Sequence, residues 1–284
     1  VSLAGMLARV ALGGGIGFTI GMTGVGGGVL VLPSLTLILG LPTSAAVGTA
    51  SMYAFLTKVS ATYHHFRLKT IDKTTAGLFL CGAVPGVIAV SALINRYVNA
   101  VGDDKEASAA FQAGLSRFIS LVILFSAVML VINLIRGLLK DRKQKLETDV
   151  SEADVAAEES AIAEPDDSPA SMSTRQKVLA LAFGLVVGGL IGSTSIGGGV
   201  IIVPLLIVVF GLSTSRTVGT SICIAVVLTL VSAIIYGSNG QLDVLTAVVM
   251  AVGSLVGVPI GSKLAVKMPE RTLQALVTVL ILVT

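Results

Sequence analysis

The chain has 284 residues, of which 54% are hydrophobic and only 12% charged, with a formal net charge of +3. A soluble domain carries about a quarter charged residues, so composition excludes a soluble globular protein, and the short alternating strands of a membrane β-barrel are absent. What remains is an all-α polytopic membrane protein, and the mean hydropathy of +0.95 agrees with that.

The first apolar segment, Leu3 to Met22, is rich in glycine, which lets helices approach closely in lipid. It lacks the basic start and cleavage site of a signal peptide. It breaks at Thr23 to Gly28. The next segment, Val29 to Leu39, is only about 17 Å long at 1.5 Å per residue, roughly half the hydrocarbon thickness. One of its ends must therefore lie at membrane depth, inside protein. Ser44 or Thr43 is expected to N-cap a third segment ending near Phe66. Asp72 is expected to cap a fourth, ending near Asn95, and a fifth runs from Leu115 to Leu139. A linker over 140–174 opens basic and then turns acidic, with ten of the sixteen acidic residues. It reads as a solvated loop. The membrane body is consequently basic, which suits an anionic substrate or anionic lipid. Five further segments follow: Lys177 to Ser193, Val200 to Phe210, Ser215 to Tyr236, Leu242 to Lys267, and Arg271 to the end.

The second set of five repeats the first. Gly24-Val25-Gly26-Gly27-Gly28, Pro33, Gly40-Leu41, Thr43-Ser44 and Val47-Gly48-Thr49 recur as Ser195-Ile196-Gly197-Gly198-Gly199, Pro204, Gly211-Leu212, Thr214-Ser215 and Val218-Gly219-Thr220, at a constant offset of 171 residues. Paired repeats of this kind are a habit of membrane transporters. The expected organisation is a first membrane repeat over 1–139, a cytoplasmic linker over 140–174 and a second, inverted repeat over 175–284. An odd number of segments per repeat requires the inversion. Charge placement points the same way, because cytoplasmic loops concentrate Lys and Arg. Arg67, Lys69 and Lys73 have no counterparts in the loop from Gly237 to Leu242. Lys263, Lys267 and Arg271 face only Arg96 in the first copy. The N-terminus is then outside and the linker inside.

These motifs resemble the TauE/SafE family of sulfite exporters, over nearly the whole membrane body and excluding the linker. The resemblance implies a multi-pass permease of a bacterial or archaeal cytoplasmic (inner) membrane. It also implies export of sulfite or a small organosulfonate such as sulfoacetate by alternating access, with no enzymatic activity.

Several residues are candidates for the substrate path. Gly26, Gly27 and Gly28, and likewise Gly197, Gly198 and Gly199, open short helices, where uncovered N–H groups and the helix dipole form an anion cradle. The alternative is that these glycines only permit tight turns. Thr43 with Ser44, and Thr214 with Ser215, either cap their own helices or face substrate. Thr49, Ser51, Thr220 and Ser221 either donate to substrate or bond back along the helix. Lys58 either snorkels to the interface or faces inward as the best cation for an anion. Arg216 either is a positive-inside anchor, the first reading, or attracts an anion near the inner mouth, and Asn239 and Gln241 read as solvated loop residues. His64 and His65 read first as wet surface at the end of their segment, and otherwise as groups that sense or carry protons.

No metal cluster, cofactor motif or catalytic constellation is visible, and nucleic-acid binding has no support. Cys81 and Cys223 are expected to be free. The expected partners are a small sulfur-containing anion and membrane lipids, and the glycine-rich faces permit a homodimer. The alternatives are an anion channel, an importer of sulfur oxyanions, and a membrane scaffold or sensor acting through the linker.

Overall fold

The computed structural model describes residues 3–23, 28–101, 104–122, 124–125, 174–195, 202–212 and 214–267. Among these residues every regular element is helical. The elements are α1 (Leu3–Thr23), α2 (Gly28–Pro33) continuing into a π-helical turn (Ser34–Ile38), α3 (Thr43–Arg67), α4 (Lys73–Val101), α5 (105–122), α6 (Thr174–Thr194), α7 (Ile202–Phe210), α8 (Thr214–Ser238) and α9 (Val244–Lys267). Spans in α4, α6, α8 and α9 are each long and apolar enough to cross a bilayer. The protein is thus an all-α polytopic membrane protein. The fifth segment from Ser126 on, the linker up to residue 173 and the tenth segment lie outside the described residues.

Two expected boundaries move for local reasons. The fourth helix runs past Asn95 to Val101, because Arg96 and Asn99 sit on its exposed side and do not interrupt it. The fifth helix begins at residue 105 rather than Leu115. Asp104 starts it, its Oδ1 accepting the N–H groups of Glu106 and Ala107 at 3.1 Å each.

The short segments end alike. Gly40 and Gly211 adopt φ of +66° and +64°, a left-handed conformation that glycine takes without strain. The N–H of Leu41 then reaches Leu35 O at 3.0 Å, and that of Leu212 reaches Leu206 O at 3.3 Å. This is the Schellman way of ending a helix. The entries differ: after Pro33 the first copy widens into the π turn, whereas Pro204 lies within the plain α-helix α7. Pi-turns of this kind concentrate at functional sites.

Packing exchanges helices between the halves. Helix α1 lies parallel against α9, with Gly13 on Met250, Gly17 on Ser254, and Gly253 and Gly257 on the carbonyls of Val10 and Gly14. Helix α6 lies parallel against α4 in the equivalent way, with Gly184 on Phe79, Gly188 on Ala83, and Gly82 and Gly86 on the carbonyls of Leu181 and Leu185. At most of these positions a side chain would collide with the partner's backbone. Two apolar cores result, one around Tyr53, Leu35 and Met250, the other around Phe79, Ile191 and Leu228. The outer faces are apolar too: Val252, Leu255, Val256 and Ile260 of α9 and Leu185 and Val186 of α6 are all exposed, as lipid contact requires.

Between the two cores, α3 and α8 run antiparallel. Gly48 meets Tyr236, and Ser51 Oγ lies 3.0 Å from Ser232 Oγ. The hairpin loops lock across the same seam. The Asp72 N–H donates to Thr220 Oγ1 at 2.9 Å, and the Asp243 N–H donates to Thr49 Oγ1 at 3.0 Å. Both aspartates also cap their helices as expected, accepting from Thr75 N and Thr246 N at 2.9 Å.

Candidate functional site

The α3–α8 seam carries most of the described candidate residues. Because the chain repeats at an offset of 171 residues, a residue on α3 has a counterpart on α8. Extending the antiparallel register of Ser51 with Ser232, the helices face their own counterparts at Leu56 and Val227. A two-fold relating the two copies of the repeat would pass there. Lys58 follows two residues later on α3, about 3 Å along the axis. Its Nζ is buried and has no hydrogen-bond partner among the described residues. The expectation of an amine snorkelling to the interface does not fit that burial. One turn further on the same face, Thr62 Oγ1 is likewise buried without a partner among them. The repeat does not duplicate the charge: the counterpart of Lys58 is Thr229, whose hydroxyl bonds back to Ala225 O at 2.7 Å.

The hydroxyls around this centre are mostly engaged. Ser51 bonds back to Val47 O at 2.9 Å, and Ser221 to Val218 O at 2.9 Å. Thr49 and Thr220 accept from the loops of the opposite half, as described above, a role that sequence reasoning did not anticipate.

Thr43 and Ser44 sit at the start of α3 and are buried. Ser44 does not fold back onto its own helix. Its Oγ donates to Gln241 Oε1 at 2.7 Å and accepts from Gln112 Nε2 at 3.1 Å, while its N–H donates to Gln112 Oε1 at 3.1 Å. Thr43 Oγ1 lies 3.5 Å from Gln112 O. Gln241, expected to be solvated, is instead the clasp between the halves at this end. A cavity of about 620 Å³ beside it is lined by Pro42, Lys105, Ser108, Gln112 and Gln241.

Gly26, Gly27, Gly197, Gly198 and Gly199 fall outside the described residues. Gly28 is the first residue of α2. Thr214 and Ser215 lie in the first turn of α8, where Arg216 is half-buried. At the other end of the seam His65 is also half-buried, its Nδ1 2.9 Å from Thr70 Oγ1, so it is not simply wet surface. Both cysteines are free thiols. No group of His, Cys, Asp or Glu able to hold a metal ion occurs among the described residues.

A second polar cluster lies at the C-terminal end of α6. The Gly192 carbonyl accepts from Tyr236 OH at 2.9 Å and from Ser91 Oγ at 3.1 Å. Asn95 Nδ2 donates to Ser91 O at 2.9 Å. Ser91, Asn95 and Tyr236 were not singled out from sequence. The available signal was polar atoms deep in apolar segments, which is costly unless they are partnered.

Helices long and apolar enough to cross a bilayer, packed around a hydroxyl-rich seam with a buried amine, suit a membrane transport protein. The comparisons agree. The chain matches the family described as sulfite exporter TauE/SafE over residues 9–284, and it belongs to that family. It is 28% identical over 269 residues to the probable membrane transporter protein YjnA of Bacillus subtilis (strain 168), covering 95% of this chain and 94% of the relative. The probable membrane transporter proteins YunE and YdhB of the same organism are 25% and 26% identical, each over 92% of this chain and 89% and 90% of their own lengths. No solved structure matches the chain.

Proposed function

We propose that the protein exports a small sulfur-containing anion, sulfite or an organosulfonate such as sulfoacetate, by alternating access. The observation that carries this reading is the Lys58 ammonium, buried on α3 without a partner among the described residues. An unpaired cation inside a membrane protein is expensive, and a transient anionic partner offsets that cost. Thr62 supplies a hydroxyl beside it. Gly28 opens α2, and the candidate N–H donors at Gly26, Gly27 and Gly197 to Gly199 lie outside the described residues. The family description supports a sulfur oxyanion and export, and the relatives' names support transport.

In this reading the moving bodies are two inverted repeats, 1–139 and 175–284, joined by the cytoplasmic linker over 140–174. The N-terminus is outside a bacterial or archaeal cytoplasmic membrane. The antiparallel contact between the equivalent helices α3 and α8 supports the inversion, since repeats of like orientation would bring equivalent helices together in parallel.

The test is flux of radiolabelled sulfite and sulfoacetate from proteoliposomes, with acetate and phosphate as controls. Saturable flux of a sulfur anion, lost in Lys58→Met while the variant stays folded, is the expected result. Equal flux of all four anions, or a Lys58→Met variant as active as the parent, would sink the proposal.

A further inference from the structure

We infer that the C-terminal end of α6 and the neighbouring turn of α4 form a binding site for a desolvated monovalent alkali cation. Helices α4 and α6 run parallel, with Gly82 against Leu181, Gly86 against Leu185 and Ser91 against Gly192. That register brings Asn95 level with Ser195, which follows the last residue of α6. Asn95 is 1% exposed and Ser195 0%. Asn95 Oδ1 and Ser195 Oγ are both buried without a hydrogen-bond partner among the described residues.

The amide orientation is dictated by its surroundings. Asn95 Nδ2 donates to the Ser91 carbonyl, and a flipped amide would set two acceptors against each other. Asn95 Oδ1 is therefore an acceptor that needs a positive or hydrogen-bearing partner. Ser195 Oγ adds a second oxygen. The end of α6 adds the negative pole of a helix dipole, and Tyr236 and Ser91 hold its last turn in place through the Gly192 carbonyl.

The Asn95 acceptor and the negative end of α6 both disfavour an anion, so the cluster is not a second copy of the Lys58 site. No carboxylate belongs to it among the described residues, which leaves two positive charges unbalanced and disfavours a divalent ion. Neutral oxygens at a helix C-terminus inside a membrane are the ligands with which transporters hold Na⁺. The repeat does not duplicate the site: the counterpart of Asn95 is Val266 and that of Ser195 is Gly24. The second glycine-rich stretch begins two residues beyond Ser195 in the sequence. A cation here would offset the charge of a transported anion nearby, and this coupling role rests on the transport reading above.

The binding itself is tested without any transported anion. Melting curves of the purified full-length protein are recorded in the chlorides of sodium, potassium and choline at matched ionic strength. A saturable rise in Tm with Na⁺ or K⁺ over choline is expected. Ser195→Gly should lose the rise without losing the fold, because Ser195 has a φ of +54° that glycine accepts readily. Asn95→Leu should lose it as well. Identical melting in all three salts, as for a site that holds only water, overturns the inference, and so does a rise that survives in both variants. Absence of anion flux would remove the coupling role and leave cation-dependent melting intact. Loss of cation dependence with flux intact would overturn the cation site and leave the transport reading standing.

Discussion

The backbone N–H of Asp72 donates to the side chain of Thr220 across the seam between the halves, at 2.9 Å. Its image, Asp243 to Thr49, is 3.0 Å long. Each aspartate thereby caps its own helix with its carboxylate and ties it to the other half through its amide. Replacing Thr49 or Thr220 with valine keeps the shape and removes the acceptor. Each variant should lose about 1–2 kcal/mol of stability. The two losses should add in the double variant, because the sites share no partner. Unfolding followed with a thiol-reactive dye in a Cys81→Ser background reads this out, since Cys223 is half-buried and becomes accessible on melting. A double variant no weaker than either single one would mean that the loops are not independent anchors.

Lys58→Met should behave oppositely in stability and in function. Removing an unpaired buried charge relieves its desolvation cost and should raise stability, while anion-dependent stabilisation and flux should both vanish. A variant that melts well below the parent in the absence of anion would show the amine to be structurally paired, contrary to its role as an anion receptor.

The 3.0 Å approach of Ser51 and Ser232 invites a cross-link. Ser51→Cys combined with Ser232→Cys, in a background lacking Cys81 and Cys223, should oxidise to a disulfide that pins α3 to α8. Under alternating access, flux should fall to background on oxidation and return with reductant. A static channel would conduct in both states, so undiminished flux in the cross-linked protein argues for a pore.

Inverted topology has a direct readout. In intact cells of a cysteine-free parent, a membrane-impermeant maleimide should label Ser238→Cys and spare Lys69→Cys. Labelling of both from the same side would show that the repeats share one orientation.

Glycine packing predicts a sharp contrast in folding. Gly188→Leu would drive its side chain into the backbone of Ala83 and should abolish monodisperse protein in size-exclusion chromatography. At Gly15 no atom lies within 4 Å of an added Cβ, and Gly15→Ala should be indistinguishable from the parent.

The helices were legible because hydropathy and glycine punctuation are local signals. Gly40 and Gly211 mark the ends of both short segments in the sequence and in space. The start of α5 was less legible: its first turns are polar and exposed, and only Leu115, Ile119 and Val122 are buried. The charge of Lys58 was legible, but its depth was not. Distance to the end of a segment suggested an interfacial amine, whereas the register of α3 on α8 decides the matter, and register is a property of two helices together. Gln241 misled for the same reason: a loop glutamine reads as solvated until Ser44 is brought beside it. Asn95 and Ser195 gave only the weak signal of polar residues in apolar surroundings, because neutral oxygens have no motif and their significance lies in bonds they do not make.

The exchange of helices between the halves also constrains how the protein is made. Helix α1 is the first described helix to leave the ribosome, yet its glycine face closes on α9, the last described helix. It must wait in lipid with that face uncovered while more than two hundred residues follow. Helix α4 waits in turn for α6. Each half is thus an incomplete folding unit whose grooves fit only the other. A fragment ending in the linker should be retained by quality control as an unpaired bundle, and supplying the second half as a separate chain should rescue it.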